Sequence, residues 1–141
     1  MRTKLLAAFI LPFAFVSLFA CAPSTKQVLA TKESQVKLRA IQTRAFDTTD
    51  KEMMLRTVIA TLQDLGFIID KADDVLGTVS GTKLDRYALR MTVSVRPRGE
   101  TQLLVRANAQ YEIYAVEDPE PYQQFFESLS KALFLTAHQV D

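Results

Sequence analysis

Two stretches of strict alternation, separated by a short turn, constrain this chain more than anything else in it. In the first, Tyr87, Leu89, Met91, Val93 and Val95 alternate with Ala88, Arg90, Thr92, Ser94 and Arg96. In the second, Leu103, Val105, Ala107, Ala109 and Tyr111 alternate with Leu104, Arg106, Asn108, Gln110 and Glu112. Successive side chains of a strand point to opposite faces, so a period of two gives one apolar face and one polar face. Pro97-Arg98-Gly99 lies between the runs. Proline fixes φ and glycine accepts a positive φ, which suits a tight turn. The pattern predicts an antiparallel hairpin with one buried side and one wet side.

An apolar sheet face must be covered, and two helical patterns can cover it. Thr49-Asp50-Lys51-Glu52 reads as a capping box with Thr49 as the N-cap. The helix it opens carries Leu55, Val58, Ile59, Leu62 and Leu65 in one stripe, and Gly66 follows where a left-handed cap is wanted. Asp118-Pro119-Glu120-Pro121 introduces a last helix, with Tyr122, Phe125, Phe126, Leu129, Leu133, Thr136 and Val140 along one face. Between the helices, Phe67-Ile68-Ile69 begins a strand that Asp73-Asp74 ends, and Leu76 to Lys83 extends again. Val36 to Phe46 reads as a further strand, although its alternation is poor. The expected fold class is α+β: an antiparallel sheet of four to five strands, packed by two helices on one face, in β-α-β-β-β-α order.

The start of the chain differs in kind. Arg2 and Lys4 are the only charges in the first 20 residues, 15 of which are hydrophobic. The uncharged run from Leu5 to Ala20 contains Pro12 and falls short of the roughly 20 apolar residues a spanning helix needs. A positive start followed by a short apolar run fits a cleaved signal segment. Without it the remaining chain carries a formal charge of −1. That balance argues against a basic nucleic-acid binder and against a highly charged disordered chain. One cysteine excludes an intramolecular disulfide and a multi-cysteine zinc site. Ala22 to Gln35, APSTKQVLATKESQ, is polar and reads as a flexible tether. The expected organisation is a signal segment over 1–20, the anchor residue and tether over 21–35, and a single α+β domain over 36–141.

Leu18-Phe19-Ala20-Cys21 resembles the lipobox of bacterial lipoproteins, with Phe19 bulkier than the usual middle residue. The resemblance implies cleavage between Ala20 and Cys21, diacylation of the Cys21 sulfur, commonly with palmitate, and usually acylation of the new amino terminus. Two or more acyl chains anchor a protein stably where one does not. An uncleaved anchor or a free Cys21 thiol is the alternative. In a Gram-negative source, Ala22 in place of aspartate after Cys21 implies sorting to the outer membrane, facing the periplasm. The element order resembles the helix-grip periplasmic domains of outer-membrane assembly lipoproteins such as BamC. That likeness implies a non-catalytic binding or assembly module for another envelope protein, or alternatively a carrier of a lipid or small apolar ligand.

Few residues promise chemistry of their own. His138 is the only histidine and lies near the end of the chain, and no serine sits in a Gly-x-Ser-x-Gly elbow. No catalytic residue, metal or cofactor is therefore expected, and nucleic acid is not expected as a partner. Asp70, Asp73 and Asp74 lie close together but do not follow the spacing of a calcium loop, and read as a solvated turn. Arg90, Arg96 and Arg106 fall on the polar side of the hairpin and read as a modest basic patch for anionic headgroups or an acidic partner. Phe134 and Leu135 lie off the apolar stripe of the last helix. Either the domain wraps both sides of that helix or a partner covers one of them. These five residues are the expected contact positions.

Overall fold

The computed structural model describes residues 34–84 and 86–138. The elements are α1 (residues 34–41), β1 (Thr43–Phe46), α2 (Lys51–Asp64), β2 (Ile68–Asp73), β3 (Thr78–Leu84), β4 (Ala88–Arg98), β5 (Gln102–Tyr111), β6 (Tyr114–Ala115) and α3 (Glu120–His138). The sheet is antiparallel in the order β1-β5-β4-β3-β2, and the short β6 also pairs with β5. It is an α+β fold in which α2 and α3 cover one face of the sheet.

The alternating hairpin forms as its sequence requires. Val93 stands opposite Ala107, Val95 opposite Val105 and Leu89 opposite Tyr111. Met91, Val93, Val95, Leu103, Val105, Ala107 and Ala109 are buried on the covered face. Met54, Leu55, Val58 and Leu62 of α2 pack on them, beside Tyr122, Phe125, Phe126 and Leu129 of α3. Phe125 and Phe126 meet edge to face at 5.1 Å, and the Arg44 guanidinium lies 5.0 Å over the Phe126 ring. Gly66 ends α2 with φ +85°, the left-handed cap its position predicts. The α3 stripe thins toward its end: Leu133 is half-buried, Thr136 is exposed, and Val140 lies outside the described residues.

Three local expectations are corrected. Residues 36–46 are not one strand: 34–41 form α1, and only Thr43–Phe46 extends. Helix is the better local solution because Leu38 and Ile41, three apart, both pack on the core, while Val36 stays exposed. Asp50, not Thr49, caps α2: its Oδ1 accepts from the Met53 amide at 2.9 Å, and Thr48 Oγ1 accepts from the Asp50 amide. With the cap one residue later, Glu52 sits too early for a capping box and pairs with Arg56 at 3.5 Å. Tyr87 and Tyr111 end the apolar alternation yet are exposed. Their positions place them on the covered side, where the helices do not seal the end of the sheet.

Two devices hold the layers together. At the β5 edge, β1 pairs with residues 103–106 and β6 with residues 110–111. Between them the buried Tyr122 hydroxyl takes the Ala109 amide at 3.2 Å, accepts from Gln42 Nε2 at 3.2 Å, and donates to the Val116 carbonyl at 2.7 Å. One hydroxyl thus ties α3 to the sheet edge and to the α1–β1 junction. At the opposite edge, Lys51 Nζ donates to the carbonyls of Asp74 (2.8 Å) and Val75 (3.1 Å), fastening the β2–β3 turn to α2. Gly77 closes that turn with φ +67°, and a Cβ there would lie 2.5 Å from the Val95 carbonyl oxygen.

Candidate functional site

The open face of the sheet is the first place the sequence points to. Arg90 and Arg96 of β4 are exposed there, and Arg106 of β5 is half-buried. Arg106 stands opposite Ser94 and Arg96 opposite Leu104, so these two arginines are diagonal neighbours. Arg90 pairs with Gln110 and lies four residues from Ser94 along β4, a separation of about 13 Å. The structure therefore gathers two of the three arginines and sets the third apart. Thr92, Ser94, Asn108 and Gln110 lie among them, and the Arg106 Nε is buried with no hydrogen-bond partner. A buried donor of this kind gains from an acceptor brought by a binding molecule.

The end of α3 is the second place. Phe134 and Leu135 are 61% and 56% exposed. Because α3 packs on the covered face, they do not join the arginine patch, which lies on the open face. The sequence candidates thus form two separate surfaces. Cys21 and Ala20 lie outside the described residues, and His138 ends α3.

The three aspartates do not form one solvated turn: Asp70 and Asp73 belong to β2 and only Asp74 lies in the turn that follows, and each is occupied by local bonding. Asp70 Oδ2 accepts from Thr82 Oγ1 at 2.6 Å, Asp73 Oδ1 from the Leu76 amide at 2.8 Å, and Asp74 Oδ1 from the Val75 amide at 2.9 Å. Among the described residues, no group of three His, Cys, Asp or Glu side chains is placed to hold a metal ion. A shallow groove of about 270 Å³ runs beside this loop, between α2 and β2, with Leu55, Ile59 and Val79 along it.

Sequence reasoning missed a second, larger concavity. A cleft of about 430 Å³ opens between the sheet and the helices, at the end that carries the β3–β4 and β5–β6 turns. Phe67, Leu89 and Met91 form its apolar floor. Lys83, Arg86, Tyr87 and Tyr111 come from the sheet side, and Leu65, Asp118, Glu120 and Pro121 from the helix side. Tyr87 and Tyr111 meet edge to face at 6.4 Å. Asp118 Oδ1 caps α3 by accepting from the Glu120 amide at 3.0 Å. The only trace of the cleft in the sequence is the pair of tyrosines that end two otherwise aliphatic alternations.

No protein-family model matches the chain, and no curated protein matches its sequence. Among the described residues, no helix is long and apolar enough to cross a membrane.

Proposed function

We propose that this chain is a lipoprotein, acylated on Cys21 and held on the periplasmic side of the outer membrane of a Gram-negative cell. Its α+β domain acts there as a non-catalytic binding module for another envelope protein. One observation carries the anchoring: a positive start, an uncharged apolar run and Leu18-Phe19-Ala20-Cys21 stand in that order ahead of a polar stretch and a folded domain. Twelve residues lie between Cys21 and α1. At no more than about 3.6 Å each, they keep the domain within tens of ångströms of the bilayer. The binding role is supported by Phe134 and Leu135, two adjacent large apolar side chains exposed on a helix that already buries another face.

Membrane fractionation tests the anchor. The wild-type chain is expected to stay with membranes through high-salt and alkaline washes, and the Cys21→Ser chain to be released. Crosslinking in intact cells tests the module. A discrete adduct that Phe134→Asp weakens is expected, and monomer alone under several chemistries contradicts it. The cleft supports a second reading, in which the domain carries a small ligand, since its volume falls within the range of small-molecule sites.

A further inference from the structure

The end of the sheet that carries the β3–β4 and β5–β6 turns combines three properties. It holds the 430 Å³ cleft with its apolar floor. It brings charges of both signs to that cleft, Lys83 and Arg86 from the sheet side and Asp118 and Glu120 from the helix side. No ion pair joins them: among the described residues, the ion pair is Arg56–Glu52, on α2. It also displays large apolar and aromatic side chains at the tips of the two turns, where Leu84, Tyr87 and Tyr114 are exposed and Ile113 is 83% exposed. Ile113 shares a two-residue turn with Glu112, whose φ of +52° is a conformation that costs a non-glycine residue energy.

Each property narrows the ligand. A purely apolar molecule would strip water from four charged groups and return nothing to them. A purely anionic molecule would suit Lys83 and Arg86 but meet repulsion from Asp118 and Glu120, with Glu112 and Glu117 close by in sequence. A zwitterion answers both walls at once. The exposed tyrosines and aliphatic tips around the mouth have the character of side chains that settle at a membrane–water boundary, with an apolar body and, for tyrosine, a polar end.

We infer that this cleft binds the headgroup of a zwitterionic phospholipid, with its phosphate toward Lys83 and Arg86 and its ammonium toward Asp118 and Glu120. The glycerol end and first acyl carbons lie against Phe67 and Leu89, and Ile113 and Tyr114 rest in the lipid boundary. This deepens the second reading, in which the domain carries a small ligand in the cleft, and rests on it; it depends neither on a protein partner nor on acylation of Cys21.

Calorimetric titration tests it, using the mature chain with Cys21→Ser so that no acyl anchor competes. The probe is dihexanoyl phosphatidylethanolamine below its micelle concentration. One-to-one binding is expected, weakened about tenfold or more by Lys83→Glu and likewise by Glu120→Lys, with thermal melting of Lys83→Glu unchanged and that of Glu120→Lys lowered only by the few degrees that a cation in the first turn of α3 costs. Dihexanoyl phosphatidylglycerol, which keeps the phosphate and lacks the ammonium, is expected to bind about tenfold more weakly or worse. Absence of binding, equal binding of the two lipids, or indifference to both charge reversals overturns the proposal. Free phosphoethanolamine binding as tightly as the lipid overturns the lipid assignment in favour of a soluble zwitterion. Failure of the crosslinking experiment leaves this titration unaffected, so the two readings fail separately.

Discussion

Thr92 and Val93 are adjacent on β4, yet they belong to different molecules in energetic terms. Val93 points into the layer between sheet and helices and is completely buried. Thr92 points to the open face, between Ser80 of β3 and Asn108 of β5, and is only half-buried. The same contrast runs along the whole hairpin. The buried aliphatics of β4 and β5 face α2 and α3, while the other side carries arginine, serine, threonine, asparagine and glutamine together with Ala88 and the half-buried Leu104. Close-packed burial constrains side-chain volume on the covered side, and the open side is free to vary. A binding surface on such a domain is therefore to be sought on the open face or where the helix layer ends, and the cleft lies at that end.

One substitution made at both neighbours measures the contrast. Val93→Gln places an amide in an apolar, fully packed site and is expected to cost about 4 kcal/mol, read by urea denaturation. Gly77→Ala comes next, at about 3 kcal/mol, because it combines a left-handed φ with a backbone oxygen 2.5 Å from the new Cβ. Tyr122→Phe is expected to cost about 1–3 kcal/mol, since it leaves the Ala109 amide, the Gln42 side chain and the Val116 carbonyl without their shared partner. Thr92→Gln closes the series at less than about 0.5 kcal/mol. If Thr92→Gln destabilised the domain as much as Val93→Gln, the open face would be covered too, and the two-sided description would be wrong.

The strength of each local pattern decided what the sequence could disclose. The hairpin and the first half of α3 were legible because four or more apolar positions repeat at a period that only one element satisfies. The α1 helix was not, since eight residues with Leu38 and Ile41 as their core contacts offer too short a stripe to outweigh a strand reading. The β6 strand was illegible for a different reason: Tyr114–Ala115 is defined by its pairing with β5 and by nothing in its own two residues. Alternation told which side Tyr87 and Tyr111 occupy, but not how far the helices reach over them. The arginine patch was read in part, because a shared face is visible in one strand whereas the distance between Arg90 and Arg106 depends on register. The cleft joins Leu65, Lys83, Tyr111 and Glu120, which are scattered over more than fifty residues and meet only through the topology.

Intact-mass measurement of the protein extracted from membranes tests most directly the proposal that this two-sided domain is held against a membrane through the Cys21 sulfur. The predicted result is a chain that begins at Cys21 and carries the added mass of a diacylglycerol thioether, with or without a third acyl chain. A chain that retains residues 1–20, or one that begins at Cys21 with an unmodified thiol, would contradict it.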